Sequence, residues 1–182
     1  MDKIIIFLTL SVFLIFTSRR TLFNIKSHGF YRFLSWECIA WLLASNYNYW
    51  FQHPFSVHQI FAWFFLLISI YLVIAGLILI KKIGKPTRDR NEKTLYQFEQ
   101  TTELIKTGIY KYIRHPLYSS LLFLTWGIYL KNPASDLFFI SLLSTVFLYL
   151  TAKFDEVECI KFFGNKYIEY MKTSKRFIPY II

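Results

Sequence analysis

A chain of 182 residues that is 55% hydrophobic, 21% aromatic and only 18% charged departs from soluble usage and reads as an integral membrane protein. Two cysteines, Cys38 and Cys159, are too few for a disulfide framework and suggest no zinc site. The net charge of +10 fits anionic headgroups at membrane edges better than nucleic acid, for which no basic and aromatic array stands outside those edges.

Taken in chain order, the first apolar run is Ile4 to Thr17. It has the length of a signal-peptide core, yet Thr17-Ser18-Arg19-Arg20 is a poor cleavage site and reads as a stop flanked by positive charge. Tyr31 to Phe51 is a second, aromatic-rich run, interrupted by Glu37 and by the polar stretch Asn46 to Asn48. Phe55 to Ile80 is long enough to cross a bilayer with tilt. Leu117 to Leu130 and Ala134 to Ala152 form a hairpin around Lys131, Asn132 and Pro133. The expectation is an all-α, polytopic membrane bundle of about five transmembrane helices in a single domain, residues 1–182. Three spans fill residues 1–80, and residues 81–182 hold the working half.

Lys and Arg counts over the polar segments alternate: one in the N-terminal stub, four in residues 19–32, none in 52–58, nine in 81–116, one at Lys131 and six in 153–182. The positive-inside rule then puts the N-terminus outside and the C-terminus in the cytoplasm. Residues 81–116 and 153–182 therefore meet on the cytoplasmic side, where chemistry is expected.

The first of these segments carries GIYKYIRHPLY, Gly108 to Tyr118. Pro116 suits the first turn of a helix, where its missing N–H costs nothing. Arg114 and His115 thus sit at a helix mouth, with backbone N–H groups nearby that suit an anion; read alone, Arg114 equally marks a membrane edge. In the second segment, Phe154, Val157, Ile160, Phe163 and Tyr167 recur at spacings of three and four, giving a helix face that continues the last span or lies on the membrane as an amphipathic helix. Asp155, Glu156 and Glu158 cluster near its start, as a solvated N-terminal turn or as a receptor for positive charge.

GIYKYIRHPLY, a hairpin with Asn-Pro at its turn, Asp-Glu some way on, then FFGNKYIEY and RFIP together resemble the isoprenylcysteine carboxyl methyltransferase and phospholipid methyltransferase family. The resemblance runs from Leu104 to Pro179. It implies a membrane-embedded methyltransferase that binds S-adenosylmethionine in a cytoplasm-facing pocket and takes a lipophilic or lipid acceptor from the bilayer. The cofactor contacts it implies fall on Leu104, Ile105, Tyr110, His115, Pro116, Leu117, Tyr118, Asp155 and Glu156. An acidic side chain would pair with the cofactor's ammonium, His115 or a backbone N–H would hold its carboxylate, and Tyr110 and Tyr118 suit adenine or a sulfonium. Arg114 and Glu156 are the catalytic candidates: a cation to orient an anionic acceptor, and a base, alongside His115, for an amine.

The chain departs from that pattern at Thr102, where many relatives have His; at Asp155, in place of the first Glu of the acidic pair; at Ser120, in place of Gly; and at Thr151, where prenylcysteine enzymes carry a substrate-binding Arg, a cation that Lys153 would have to supply. Glu37, inside a span, is expected to pair with Arg32 or to face the acceptor. His53 and His58 flank Pro54 without a third ligand close by, and no metal is expected. The competing readings are a membrane reductase using a nicotinamide cofactor, because sterol reductases resemble the same region, and a non-catalytic scaffold. A bacterial inner membrane is the expected location.

Overall fold

The structure, a computed structural model, describes residues 2–85 and 100–181. Each apolar run becomes a helix: α1 (Asp2–Ser18), α2 (His28–Asn46), α3 (Val57–Leu79), α4 (Pro116–Tyr129) and α5 (Ser135–Phe163), followed by a short α6 (Asn165–Thr173). Among the described residues, two segments, Val57–Gly84 and Ser135–Phe163, are long and apolar enough to cross a membrane; α1, α2 and α4 fall short of that measure through length or hydropathy. Of the nine cations in residues 81–116, Arg88, Arg90 and Lys93 lie outside the described residues.

Local chemistry sets the helix ends. α2 begins earlier than its apolar run because Ser27, in extended backbone, caps it and accepts a bond from the Phe30 amide at 3.4 Å. It ends at Asn46, whose side-chain amide turns away to donate to the Ile128 carbonyl at 2.8 Å and so ties α2 to the end of α4. α3 ends in a π-turn, Ile80–Gly84, and Lys85 then adopts a left-handed conformation. The Gly84 carbonyl accepts from the Thr102 and Glu103 amides at 3.0 and 3.3 Å, which brings residues 101–105 back against the end of α3.

α5 runs on past the apolar stretch that ends at Ala152, which is the continuation of the last span that the spacing from Phe154 to Tyr167 left open. No Gly or Pro interrupts the chain before Gly164, so the helix runs unbroken to Phe163. Gly164 stops it with φ +60 and ψ −139, a region open essentially to glycine. The acidic residues therefore sit on the last turns of a long helix, and the solvated N-terminal turn is not what forms. α6 then buries Tyr167 and Tyr170 on one side.

α3 packs along α4, α2 along α5 and α1 along α2, with α4 and α5 in contact as the central pair. Small polar residues let these helices approach: the Ser35 and Ser144 hydroxyls meet at 2.9 Å, and Thr125 reaches Ser144 at 3.1 Å. Gly127 does the same against α3, where an added Cβ would meet Leu66 at 3.0 Å. Ser120, which replaces a family glycine, is buried in that same contact, its carbonyl accepting from the Ser69 hydroxyl at 2.8 Å. Glu37 finds a partner on α1 that the sequence did not suggest, the Ser11 hydroxyl, while Arg32 lies over the Trp36 ring at 5.4 Å.

The connection between α4 and α5 is pinned at one end of the bundle. Lys131 is 1% exposed, with its ammonium 3.4 Å from the centre of the Trp63 ring and 5.3 Å from that of Trp50, and it donates to Gln59 Oε1 at 3.0 Å. Gln59 in turn donates to the Lys131 and Tyr49 carbonyls. His58 is engaged nearby with the Ser56 hydroxyl and the Leu130 carbonyl, at 3.0 and 2.9 Å. Lys131→Met, which keeps the stem and removes the cation, should orphan the Gln59 carbonyl and cost about 2 kcal/mol. A lowered unfolding temperature in detergent would show it, and no change would mean that the indole cage carries no stability.

Candidate functional site

At the opposite end of the bundle, the start of α2, the end of α3, the start of α4 and the end of α5 converge. Gly108 opens the GIYKYIRHPLY segment at φ +59, a conformation glycine adopts cheaply, and an added Cβ would meet Leu79 at 2.7 Å. A single 3-10 turn, Gly108–Lys111, follows and buries Tyr110, whose carbonyl accepts from the Tyr170 hydroxyl at 2.6 Å. Pro116 then opens α4 with His115 as its N-cap.

The chain after α6 returns as a strap beside this segment. Ile113 and Lys175 form a parallel bridge; the Arg114 amide donates to the Lys175 carbonyl at 2.7 Å and the His115 amide to the Arg176 carbonyl at 3.3 Å. Ser119 on α4 donates to the Phe177 carbonyl at 2.8 Å. Two arginines, one from each strand of this contact, then meet α5.

They meet at Glu156, which is 4% exposed. Its Oε1 accepts from Arg114 Nε at 3.0 Å and from Arg176 Nε at 3.1 Å, and Oε2 accepts from Arg176 Nη2 at 2.7 Å. Arg176 thus grips both oxygens in a fork, the strong geometry for a guanidinium on a carboxylate. Arg114 Nη2 adds a contact at 2.9 Å, and Nη1 donates to the Met171 and Ser174 carbonyls. The Arg176 guanidinium packs over the Tyr149 ring at 4.8 Å. A carboxylate this buried is tolerable only because it is paired so fully.

His115 stands between the two acidic residues, Nδ1 at 3.3 Å from Asp155 Oδ2 and Nε2 at 3.4 Å from Glu156 Oε1, and its ring stacks on Tyr118 at 5.3 Å. Nε2 has no hydrogen bond of acceptable geometry, although it is buried. Burial works against a charge on this imidazole, but the nearby carboxylates of Asp155 and Glu156 outweigh it and hold its pKa above the ordinary value.

These groups edge an open-sided cavity of about 110 Å³. Leu104, Ile105, Tyr110, Arg114 and His115 line it, as do Pro116, Leu117, Tyr118 and Asp155. Glu156 lies behind this wall, held by the arginines, and is not among the lining residues. Groups that the sequence did not nominate for the site complete the lining: Ile80 from the π-turn, Thr101 and Glu103 from the returning loop, Cys159 on the α5 extension and Tyr170 on α6, with Phe163 and Tyr167, which the sequence read only as part of an apolar helix face. Their signal was positional: Cys159 and Phe163 follow Asp155 at four and eight residues along one helix, legible once α5 is known to continue.

Of the departures from the family pattern, Thr102 lies outside the lining and donates to the Lys85 carbonyl at 3.0 Å. Thr151 is buried and turns back onto the Phe147 carbonyl at 2.7 Å; Lys153 is exposed. Next to Asp155, His28 Nδ1 meets Glu158 Oε2 at 2.8 Å, and Glu158 also accepts from the His28 amide at 3.4 Å, which ties α2 to α5 and satisfies one amide of the α2 N-terminus. The ligand atoms of His28, Asp155 and Glu158 all lie within 4.8 Å of one another.

Residues 57–166, more than half of the chain, match the model of the phospholipid methyltransferase family. The chain belongs to that family. Two curated relatives, each named "Probable protein-S-isoprenylcysteine O-methyltransferase", from Oryza sativa subsp. indica and subsp. japonica, are 30% identical over 125 residues. That stretch spans 65% of this chain and 63% of each relative, less than two thirds of their length. No solved structure matches. The phospholipid methyltransferase match reaches back through α3 to residue 57, well before the motifs at Leu104, and so includes Ile80, which lines the cavity. It stops at residue 166, short of the strap that carries Arg176.

Two outcomes follow for this member of the phospholipid methyltransferase family. Glu156→Ala should destabilise the fold by about 2–3 kcal/mol, since it leaves two partly buried guanidiniums without their carboxylate; an unfolding temperature equal to the parent's would show that the cluster contributes nothing. Because the pKa of His115 is raised on folding, its contribution is fully present below its ordinary value of 6.5 and is lost as pH rises through the higher folded value. Thermal stability should decline over that interval in the parent, and His115→Gln should flatten that decline.

Proposed function

We propose that the cavity binds S-adenosylmethionine and that the protein transfers its methyl group to a lipophilic or lipid-linked acceptor. The observation that carries this reading is the donor set of the wall: two carboxylates, Asp155 and Glu103, beside a buried imidazole and a band of aromatic rings. A ligand with a cationic ammonium, an anionic carboxylate and a flat base matches those groups, and the orphaned His115 Nε2 is a polar atom in want of a partner. The names of the family and of the rice relatives support the same reaction class. Bound there, the cofactor would supply an electrophilic methyl group on a sulfonium.

Asp155 takes the ammonium, His115 holds the carboxylate, and Tyr110 and Tyr118 present their faces to the base or the sulfonium. Leu104, Ile105, Pro116 and Leu117 exclude water and fix the cofactor's position, which matters more to an in-line displacement than proton transfer does. Glu156 acts through the residues that it holds. Arg114, although it lines the cavity, is committed to Glu156 and to two carbonyls, so its part is to fix the helix mouth more than to seize an anionic acceptor. The cavity end of the bundle is the cytoplasmic one, in keeping with the cations at residues 19–32, 81–116 and 153–182.

Titration of the detergent-solubilised protein with S-adenosylhomocysteine and, separately, with NADPH tests the reading. Saturable binding of the first and not the second is expected, and Asp155→Asn should weaken it about tenfold or more. Binding of NADPH alone would favour a reductase; binding of neither, a scaffold. Incubation with a radiolabelled methyl donor and a total lipid extract would then identify the acceptor.

A further inference from the structure

The pocket's acidic pair is asymmetric: Asp155 lines the cavity, whereas Glu156 stands behind it under two guanidiniums. We propose that Arg176 is a positioning residue whose fork on Glu156 holds that carboxylate away from His115 and so sets the charge that the pocket presents to its ligand. The inference rests on the cofactor reading for its functional meaning, but its physical content stands apart from it.

The geometry points to Arg176 and not to Arg114 alone. Glu156 Oε1 has three claimants: Arg114 Nε at 3.0 Å, Arg176 Nε at 3.1 Å and His115 Nε2 at 3.4 Å. Only the guanidiniums satisfy hydrogen-bond geometry, and the imidazole is left without a bond on that side. Arg176 alone also holds Oε2, at 2.7 Å, so its fork fixes the plane of the carboxylate. The fork is itself braced: the guanidinium packs over Tyr149 at 4.8 Å, and the backbone of Arg176 accepts from the His115 amide at 3.3 Å. A single residue therefore touches His115 through its main chain and controls the neighbouring carboxylate through its side chain.

Without this fork, Glu156 would carry one cation fewer and could rotate Oε1 onto His115 Nε2. The imidazole, already between two carboxylates, would then gain a hydrogen bond to the second and a less compensated charge beside it, and take up a proton more firmly. A proton so held draws Asp155 toward His115 and away from a cationic ligand. The other titratable and charged groups around the imidazole stay in place: Asp155 and Cys159 on α5, its neighbour Arg114, Tyr118 on α4, Tyr167 and Tyr170 on α6, and Glu103 on the returning loop.

The test is the titration of His115 in the full chain in detergent, followed by NMR of isotope-labelled histidine and assigned by the resonance missing in His115→Gln. Arg176→Gln should move the His115 midpoint upward by about one pH unit, the scale of a carboxylate newly uncompensated at hydrogen-bond range. Arg176→Lys keeps the charge but cannot span both oxygens, and it should give a smaller rise in the same direction. It also serves where the Gln variant does not fold. A midpoint unmoved in a folded variant overturns the proposal, because a merely structural role for Arg176 would leave the midpoint where it is. S-adenosylhomocysteine binding by the parent, measured alongside, separates the two ideas: a shifted midpoint with no binding would sink the cofactor reading and leave the role of Arg176 standing.

Discussion

One buried charge organises the pocket. Glu156 sits on α5 with almost no exposure, and a carboxylate there is bearable only if cations come to it. They come from places distant in sequence: Arg114 from the turn that opens α4, Arg176 from the strap beyond α6. Satisfying this carboxylate therefore draws together the last turns of α5, the mouth of α4 and the returning chain. The cavity is the space left on the other side of that junction. Asp155 and His115 owe their placement to a neighbour that does not itself line the wall.

Much of this was legible in the residues and some was not. The five apolar runs became α1 to α5 because hydropathy reports burial and lipid contact directly. Pro116 marked the start of α4 because proline's conformation and missing N–H suit that one position. Nearly all of the residues that the motifs nominated, from Leu104 to Tyr118 and Asp155, line one cavity. The family resemblance chose them, and the fold brings them together. Hydropathy alone could not decide whether α5 continued: a run of Lys, Asp and Glu after Ala152 looks like a membrane boundary, and the spacing of three and four left both readings open, but a helix needs only the absence of a breaker to go on. The spacing counted Phe163 only as part of an apolar face, and Cys159 carried no signal of its own; Glu156 was grouped with Asp155 by adjacency, although only Asp155 lines the cavity.

Arg176 was present in the RFIP motif, but its role depends on a contact across twenty residues and a helix break at Gly164, which no local pattern encodes. Thr151 shows the converse. It occupies the position of an expected substrate cation, yet its hydroxyl is folded back on its own helix, and the cation beside that stretch of α5 is Arg176, packed on Tyr149.

The two ends of the bundle are fastened by unlike materials. At the hairpin end, Lys131 is enclosed by two indole faces and a glutamine carbonyl that belong to the scaffold, and nothing arriving at the cavity changes their charge. At the cavity end, the fastening is made of carboxylates, guanidiniums and an imidazole, whose balance any charged visitor disturbs. The helices are thus bound like the pages of a book, with a spine indifferent to the reader and a fore-edge that responds to touch. The far end therefore keeps the helices in register through contacts that do not depend on the charges at the cavity end.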